Sequence, residues 1–156
     1  LMAAWRTSTG LGRIGDLGKN LAKRAVAVVS EQQPKQLMLG LKHMGELSLG
    51  QLKEVLDAFI ERDADRALAV WYKDDEIDSM YTSLFRELLT YMMEDPRNIT
   101  FCTHLLFCAK NIERIGDHAT NIAENIHFMV TGEQPQEDRP KHDESSYIPA
   151  NYSADH

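Results

Sequence analysis

Apolar positions recur at three- and four-residue steps through most of this chain, a period that is typical of amphipathic helices. We expect four helices, over about residues 2–30, 35–62, 64–94 and 97–131. Asp63 is a predicted N-cap, Asp95-Pro96 a predicted break and Gly132 a predicted C-terminal stop. No segment alternates with the two-residue period of a strand. The chain is therefore predicted to be all-α.

The last predicted helix carries a motif that also occurs near the start of the chain. Asn111–Asn125 reads Asn-Ile-Glu-Arg-Ile-Gly-Asp-His-Ala-Thr-Asn-Ile-Ala-Glu-Asn, and Arg13–Lys23 reads Arg-Ile-Gly-Asp-Leu-Gly-Lys-Asn-Leu-Ala-Lys. The Arg, Ile, Gly, Asp, Asn and Ala positions match in register, which indicates an internal repeat. Gly15 and Gly116 occupy the same position of this repeat, and we expect both to permit close contact between helices.

Composition limits the classes of function that this chain can have. Its 156 residues suit one domain, and 43% hydrophobic residues are too many for a disordered protein. A net charge of −7 argues against nucleic acid as a partner, so the basic residues Lys19, Lys23 and Arg24 are interpreted as a solvated helix face. No apolar run is long enough to cross a membrane, so no membrane insertion is expected.

The two cysteines, Cys102 and Cys108, are predicted to lie on one helix. Six residues of helix rise by about 9 Å, which is beyond the reach of a disulfide bond. We expect both to be buried free thiols, as in proteins of a reducing cytoplasm.

Four acidic residues are predicted to lie at matching heights on the last two helices. If these helices fold back on each other at Asp95-Pro96, residues equidistant from the turn are level with each other. Asp74 is then level with Asp117, and Asp78 with Glu113. Each helix offers two acids one turn apart, and the sequence alone leaves open whether the two faces meet.

If the two faces meet, the carboxylates need compensation. Two of them about 6 Å apart repel each other by up to ~3 kcal/mol at an effective dielectric constant of 20. Hard oxygen ligands favour magnesium, calcium, manganese or iron, and zinc is an alternative. Salt bridges from Lys110 and Arg114 would instead give a metal-free helical scaffold. Glu124-x-x-His127 fits one half of a ferritin-like di-iron site, but only one such motif is present.

The repeated Arg-Ile-Gly-Asp-x-x-x-Asn block resembles the signature of the PhoU family of phosphate-uptake regulators. Phe85–Met92, which follows Asp74–Asp78, also resembles that family. The resemblance implies two tandem three-helix bundles, of which this chain holds the last helix of the first (1–33) and the complete second (34–132). Residues 133–156 are expected to be a disordered tail.

The same resemblance implies a metal site and a function. The site is expected on Asp74, Asp78, Glu113 and Asp117, with divalent or trivalent iron, zinc, manganese or magnesium ions. Gly12 stands where the family has an acid in the first repeat, so no site is expected there. The implied function is negative control of the phosphate-starvation response by a cytoplasmic homodimer without catalytic residues. Its implied partners are the ATPase of a phosphate ABC transporter and a sensor histidine kinase.

One helix is expected to lack a partner. The apolar face of the first helix has no match in an incomplete first repeat, and a lone amphipathic helix is marginal in water. Self-association or repacking of this face is therefore predicted.

Overall fold

The computed structural model describes residues 2–28 and 35–135, and all regular structure in these two ranges is helical. The helices are α1 (Met2–Val28), α2 (Lys35–Glu61), α3 (Ala64–Tyr72), α4 (Asp74–Glu94) and α5 (Ile99–Thr131), with a short 3₁₀ turn at Pro96–Asn98. The predicted all-α class is confirmed. None of these helices combines the length and the apolar character that a membrane crossing requires. Most of the predicted tail, from residue 136 onward, lies outside the described residues.

Three of the predicted helix boundaries are found where the sequence placed them. The Asp63 carboxylate accepts the backbone N–H of Arg66 at 3.0 Å, which caps α3. Asp95, before proline, is extended at φ −146° and ψ 114° and ends α4. Gly132 ends α5 in the left-handed region at φ 79°, where only glycine avoids a steric cost.

The single helix predicted over residues 64–94 is wrong, because the chain breaks at Lys73. Lys73 lies at φ −86° and ψ 0°, and its carbonyl accepts the backbone N–H of Glu76 at 3.3 Å, a three-residue step that interrupts the α pattern. The same carbonyl accepts a hydrogen bond from Gln51 Nε2 of α2 at 2.9 Å. Three consecutive acids from Asp74 onward then begin α4, where the positive end of the helix dipole favours them.

Helix α5 is the centre of the fold and packs against all four other helices. Two clusters of buried side chains lie along it. The first joins α1, α2, α3 and α5, and its buried members are Ile14, Leu17, Val55, Ala58, Ala67, Val70, Trp71, Ile115, Ala119, Ile122, Ala123 and Ile126. The second joins α2, α4 and α5, and its buried members are Leu37, Met44, Ile77, Tyr81, Leu84, Leu88, Phe101, Cys102, Leu105, Ala109 and Ile112.

The two copies of the repeat pack against each other. Helices α1 and α5 run antiparallel, since Gly10 lies against Ile122 while Arg24 lies over Phe107. Ile14 and Leu17 of α1 are buried in the first cluster, so the expectation that the apolar face of α1 lacks a partner within the chain is wrong for this part of the helix. Met2, Trp5 and Val26 are exposed, and self-association of α1 stays a prediction.

The two repeat glycines have different surroundings. A Cβ on Gly116 would stand 3.1 Å from Ile77 Cδ1, so this glycine permits the close approach of α4 to α5, as predicted. A Cβ on Gly15 would meet nothing within 4 Å among the described residues, so the same prediction is wrong there.

Both cysteines are buried free thiols, as predicted. Burial raises the pKa of the Cys102 and Cys108 thiols, because a thiolate is poorly solvated there. Neither thiol is placed to be reactive.

Candidate functional site

The four predicted carboxylates lie on α4 and α5. Asp74, Asp78 and Glu113 are only 1%, 3% and 5% exposed, and Asp117 is half-buried. Carboxylates are rarely buried to this degree unless they are paired, because removing a charge from water is costly. The buried acids of α4 and α5 therefore require partners that compensate their charge.

Asp74 faces α5 through a hydrogen bond. Its Oδ1 accepts from Thr120 Oγ1 at 2.9 Å, and Thr120 is fully buried. Counting from the turn placed Asp74 level with Asp117, but Thr120 lies almost one turn further along α5. The corner between the helices occupies Asp95–Asn98 rather than Asp95-Pro96 alone, so the midpoint of the hairpin falls later in the chain than the counting assumed.

Lys110 places a positive charge beside Glu113, one of the four carboxylates. Its Nζ lies 3.0 Å from Glu113 Oε1 and 4.8 Å from the centre of the Tyr81 ring on α4. The Glu113 side chain is only 6% exposed, whereas that of Lys110 is 39% exposed. The ammonium group thus compensates a nearly buried carboxylate from the solvent side. Arg114, the other predicted counter-ion, is exposed and makes no ion pair with any described residue.

The described side chains do not assemble as the ligands of a metal ion. Their oxygen donors have the right chemistry for a hard cation. However, nowhere in residues 2–28 and 35–135 are three or more His, Cys, Asp or Glu side chains grouped as such an ion requires. Lys110 contacts Glu113 through Oε1, and Thr120 contacts Asp74 through Oδ1. The other oxygen of Glu113, Oε2, is buried and accepts no hydrogen bond from the described residues. The metal site stays a prediction.

Glu124 and His127, the proposed half of a di-iron site, form separate hydrogen bonds. Glu124 Oε1 accepts from the indole Nε1 of Trp71 at 3.0 Å. His127 Nδ1 lies 3.0 Å from the backbone carbonyl oxygen of Glu133. The Glu124 carboxylate therefore ties α3 to α5, and no second Glu-x-x-His motif is present in the sequence.

Sequence reasoning missed the neutral polar residues around the acids. Thr120 holds Asp74, Gln51 holds the Lys73 carbonyl, and Ser48 Oγ lies 3.4 Å from the carbonyl oxygen of Ile112. Threonine, glutamine and serine occur on any helix surface and give no periodic signal, so the sequence offered no means of selecting them. All three are buried, which is the property that distinguishes them.

Together these features define a class: an all-α bundle protein with an internal helical repeat and a buried acidic face between two helices of one hairpin. Residues 41–126 match the model of the PhoU domain, which is more than half of the chain. The chain belongs to the PhoU family.

Curated relatives match most of the chain. It is 62% identical over 148 residues to the phosphate-specific transport system accessory protein PhoU homolog of Rhizobium meliloti, covering 95% of this chain and 62% of that protein. It is 54% identical over 142 residues to the Caulobacter vibrioides homolog, covering 91% and 62%. The PhoU protein of Escherichia coli is 39% identical over 133 residues, covering 85% and 55%. The chain thus spans about three-fifths of the length of these relatives.

Two solved structures share the fold. The crystal structure of PhoU from Pseudomonas aeruginosa aligns with a TM-score of 0.81 at 38% identity, covering 85% of this chain and 63% of that one. That of the phosphate transport system regulatory protein PhoU from Streptococcus pneumoniae aligns with a TM-score of 0.77 at 29% identity, covering 87% and 64%.

Proposed function

We propose that this chain is an accessory regulator of a phosphate-specific transport system. The observation that carries the proposal is the PhoU domain match, which falls on α2–α5, together with 62% identity to the Rhizobium meliloti accessory protein. The function is one of docking rather than catalysis: a helical adaptor holds other proteins of the system in an inactive arrangement while phosphate is plentiful.

The proposed partners are the ATPase of the phosphate ABC transporter and a sensor histidine kinase, which this adaptor would restrain as a homodimer in the cytoplasm. The outer surface of α4 supports a docking role, since Leu89 is 40% exposed and Met93 is 85% exposed near its end. Exposed apolar side chains of this kind are common at sites of protein association. A variant with both residues changed to Ser would weaken docking and leave the buried core of the hairpin intact.

Complementation tests the proposal in cells. The 156-residue chain is expressed in a bacterium whose own PhoU protein has been deleted, and a phosphate-starvation reporter and the uptake of radiolabelled phosphate are measured in high phosphate. We expect the chain to lower both signals, and the Leu89→Ser/Met93→Ser variant to lower them less. A chain that is present at normal levels and changes neither signal would refute the proposed role.

The predicted metal site is proposed as a second state of the four carboxylates on α4 and α5. We propose that any ion taken up by Asp78, Glu113 and their neighbours exchanges with the Lys110 ammonium, which already compensates Glu113. The metal content of purified chain, measured after incubation with Fe²⁺, Mn²⁺, Zn²⁺ or Mg²⁺ and desalting, tests this. Glu113→Ala and Asp117→Ala should lower metal uptake, and the exposed Glu94→Ala is the matched control.

A metal-free adaptor is the second candidate, and specific contacts favour it. Lys110 and Thr120 already hold Glu113 and Asp74, so the acidic face has internal partners. If Glu113→Ala and Asp117→Ala leave both metal content and control of the reporter unaltered, the metal state is excluded and the adaptor role is retained.

A further inference from the structure

The charge of this protein is distributed unevenly between α1 and the remainder of the chain. Helix α1 carries five basic residues against one acidic residue, a net charge of +4, in a chain whose net charge is −7. The remaining residues therefore carry −11. A strongly basic helix in an acidic protein concentrates positive potential on one surface, where it attracts anions.

Two of these basic residues line a groove between α1 and α5. The groove has a volume of about 330 Å³, and Arg6 and Arg13 border it on the α1 side. His118, Asn121 and Asn125 border it on the α5 side. The Asn125 amide already donates to the backbone carbonyl oxygen of Asn121 at 2.9 Å, so the two arginines are the charged donors of this groove.

The two arginines of the groove lie on one face of α1. Arg6 and Arg13 are seven residues apart, two turns of helix, so both project from the same face of α1. Gly10 lies between them and packs closely against α5, since a Cβ there would stand only 3.1 Å from Ile122 Cγ1. The two long guanidinium side chains therefore border the groove on either side of this close contact.

Neither arginine is neutralised within the chain. Arg6 and Arg13 form no ion pair with any residue in the described ranges. Arg24, further along α1, differs because its guanidinium carbon lies 4.3 Å from the centre of the Phe107 ring. Among the described residues that line the groove, the one acid is Glu124, which accepts the hydrogen bond of Trp71. Two positive charges and one negative charge leave the groove net positive.

We propose that this groove binds a phosphate group, either as the free anion or as part of a small molecule. The planar fork of arginine matches the oxygens of phosphate, and two such forks bordering one groove suit a compact dianion. A long polyanion such as nucleic acid would be repelled by the acidic remainder of the chain. This inference is independent of the proposed role in transport, and either can fail without the other.

Tryptophan fluorescence of the 156-residue chain measures whether a ligand occupies the groove. Trp5 lines the groove and is 67% exposed, whereas Trp71 is 2% exposed. Titration with inorganic phosphate should shield Trp5 from the neutral quencher acrylamide in a saturable manner, and Trp5→Phe should abolish this change. A parallel titration with AMP identifies the source of the ligand: tighter binding of AMP indicates a phosphate carried on a larger molecule, and equal or weaker binding indicates the free anion.

Substitutions distinguish a specific phosphate site in the groove from general electrostatic attraction of phosphate to α1. Arg6→Ala and Arg13→Ala should each weaken binding about tenfold or more, as expected for the loss of a charge-assisted hydrogen bond. Lys19→Ala removes the same charge from an exposed position of α1 outside the groove, and should change binding less than about twofold. Arg13→Lys keeps the charge but loses the fork, and should fall between the two.

Two results would overturn the inference. One is no saturable binding of inorganic phosphate or AMP up to about 10 mM, a concentration well beyond a millimolar dissociation constant. The other is equal weakening by Lys19→Ala and Arg13→Ala, which would show attraction to the helix as a whole. Far-ultraviolet circular dichroism verifies that each variant is folded, which is expected because all three positions are exposed.

Discussion

The hydrogen bond between Thr120 and Asp74 gives the most direct test of how α4 is held against α5. Thr120→Val keeps the branching and nearly the size of the side chain and replaces the hydroxyl by a methyl group, so the main loss is the hydrogen bond. The hydroxyl lies 2.9 Å from Asp74 Oδ1 and 3.1 Å from the carbonyl oxygen of Gly116, and both Thr120 and Asp74 are almost completely buried. The change removes a donor from a buried carboxylate.

The expected cost follows from the charge on the acceptor. Hydrogen bonds to charged groups contribute about 1.5–3 kcal/mol, and the buried acceptor cannot recover the loss from water. For a chain of this size each kcal/mol lowers Tm by about 2–4 °C, so a loss of about 2 kcal/mol corresponds to a decrease of about 4–8 °C. Thermal and urea unfolding monitored by circular dichroism would measure both quantities.

A matched control and a double-mutant cycle make this test specific. Thr90→Val on α4 removes an exposed hydroxyl that donates to the Arg86 carbonyl at 3.1 Å, and should cost less than about 0.5 kcal/mol. In an Asp74→Ala background, Thr120→Val should cost about 1 kcal/mol less than in the native chain, because its acceptor is absent. Equal costs for Thr120→Val and Thr90→Val, or no coupling to Asp74, would refute the reasoning.

Three further changes test other contacts. Lys110→Met should lower the free energy of unfolding by about 1–2 kcal/mol in urea titrations, because it removes an ammonium group that lies 3.0 Å from a nearly buried carboxylate oxygen. An unchanged value would contradict this. Gly15→Ala should raise the free energy of unfolding by about 0.5–1 kcal/mol, because alanine favours the helix and meets no neighbour there among the described residues. Gly116→Val should lower it by about 1–3 kcal/mol, because the side chain would collide with Ile77. Thermal unfolding measures both values, and the reverse order would contradict these surroundings. Arg66 lowers the pKa of Glu54 through a side-chain hydrogen bond, so this pair stabilises the fold above the ordinary carboxyl range and loses that effect as pH falls. Arg66→Ala should therefore lower the free energy of unfolding at pH 7 but not near about pH 3. A difference that is the same at both pH values would exclude this linkage.

Helix positions could be predicted because their signals are local. The cap at Asp63, the extended residue before Pro96 and the left-handed Gly132 each depend on the stereochemistry of one or two residues. The carbonyl at the Lys73 break is instead bound by Gln51, which is 22 residues away in sequence and reaches it only when α2 packs against the hairpin. A long-range contact of this kind leaves no periodic trace in the sequence.

The carboxylate patch was predictable only in part, for a related reason. Counting from the turn selected the two helix faces that meet, because rise per residue is a constant of the helix. It placed Asp74 level with Asp117, because the length of the 3₁₀ corner was not part of the count. Which acids bind Lys110 and which bind Thr120 depends on side-chain rotation, which no helical period determines.

The repeat shows how one motif serves two kinds of packing. Its isoleucines, Ile14 and Ile115, are both buried in the cluster that joins α1 to α5, so this position holds the two copies together. The glycine of the motif faces another direction: Gly116 lies against Ile77 and Gln51, whereas Gly15 faces open space among the described residues. In both copies the isoleucine therefore packs between the repeats, whereas the glycine permits close helix contact only in α5. In α5 that second face carries Glu113, but α1 has Gly12 at the same position, so the copies share the packing between repeats and differ where the acidic face is built.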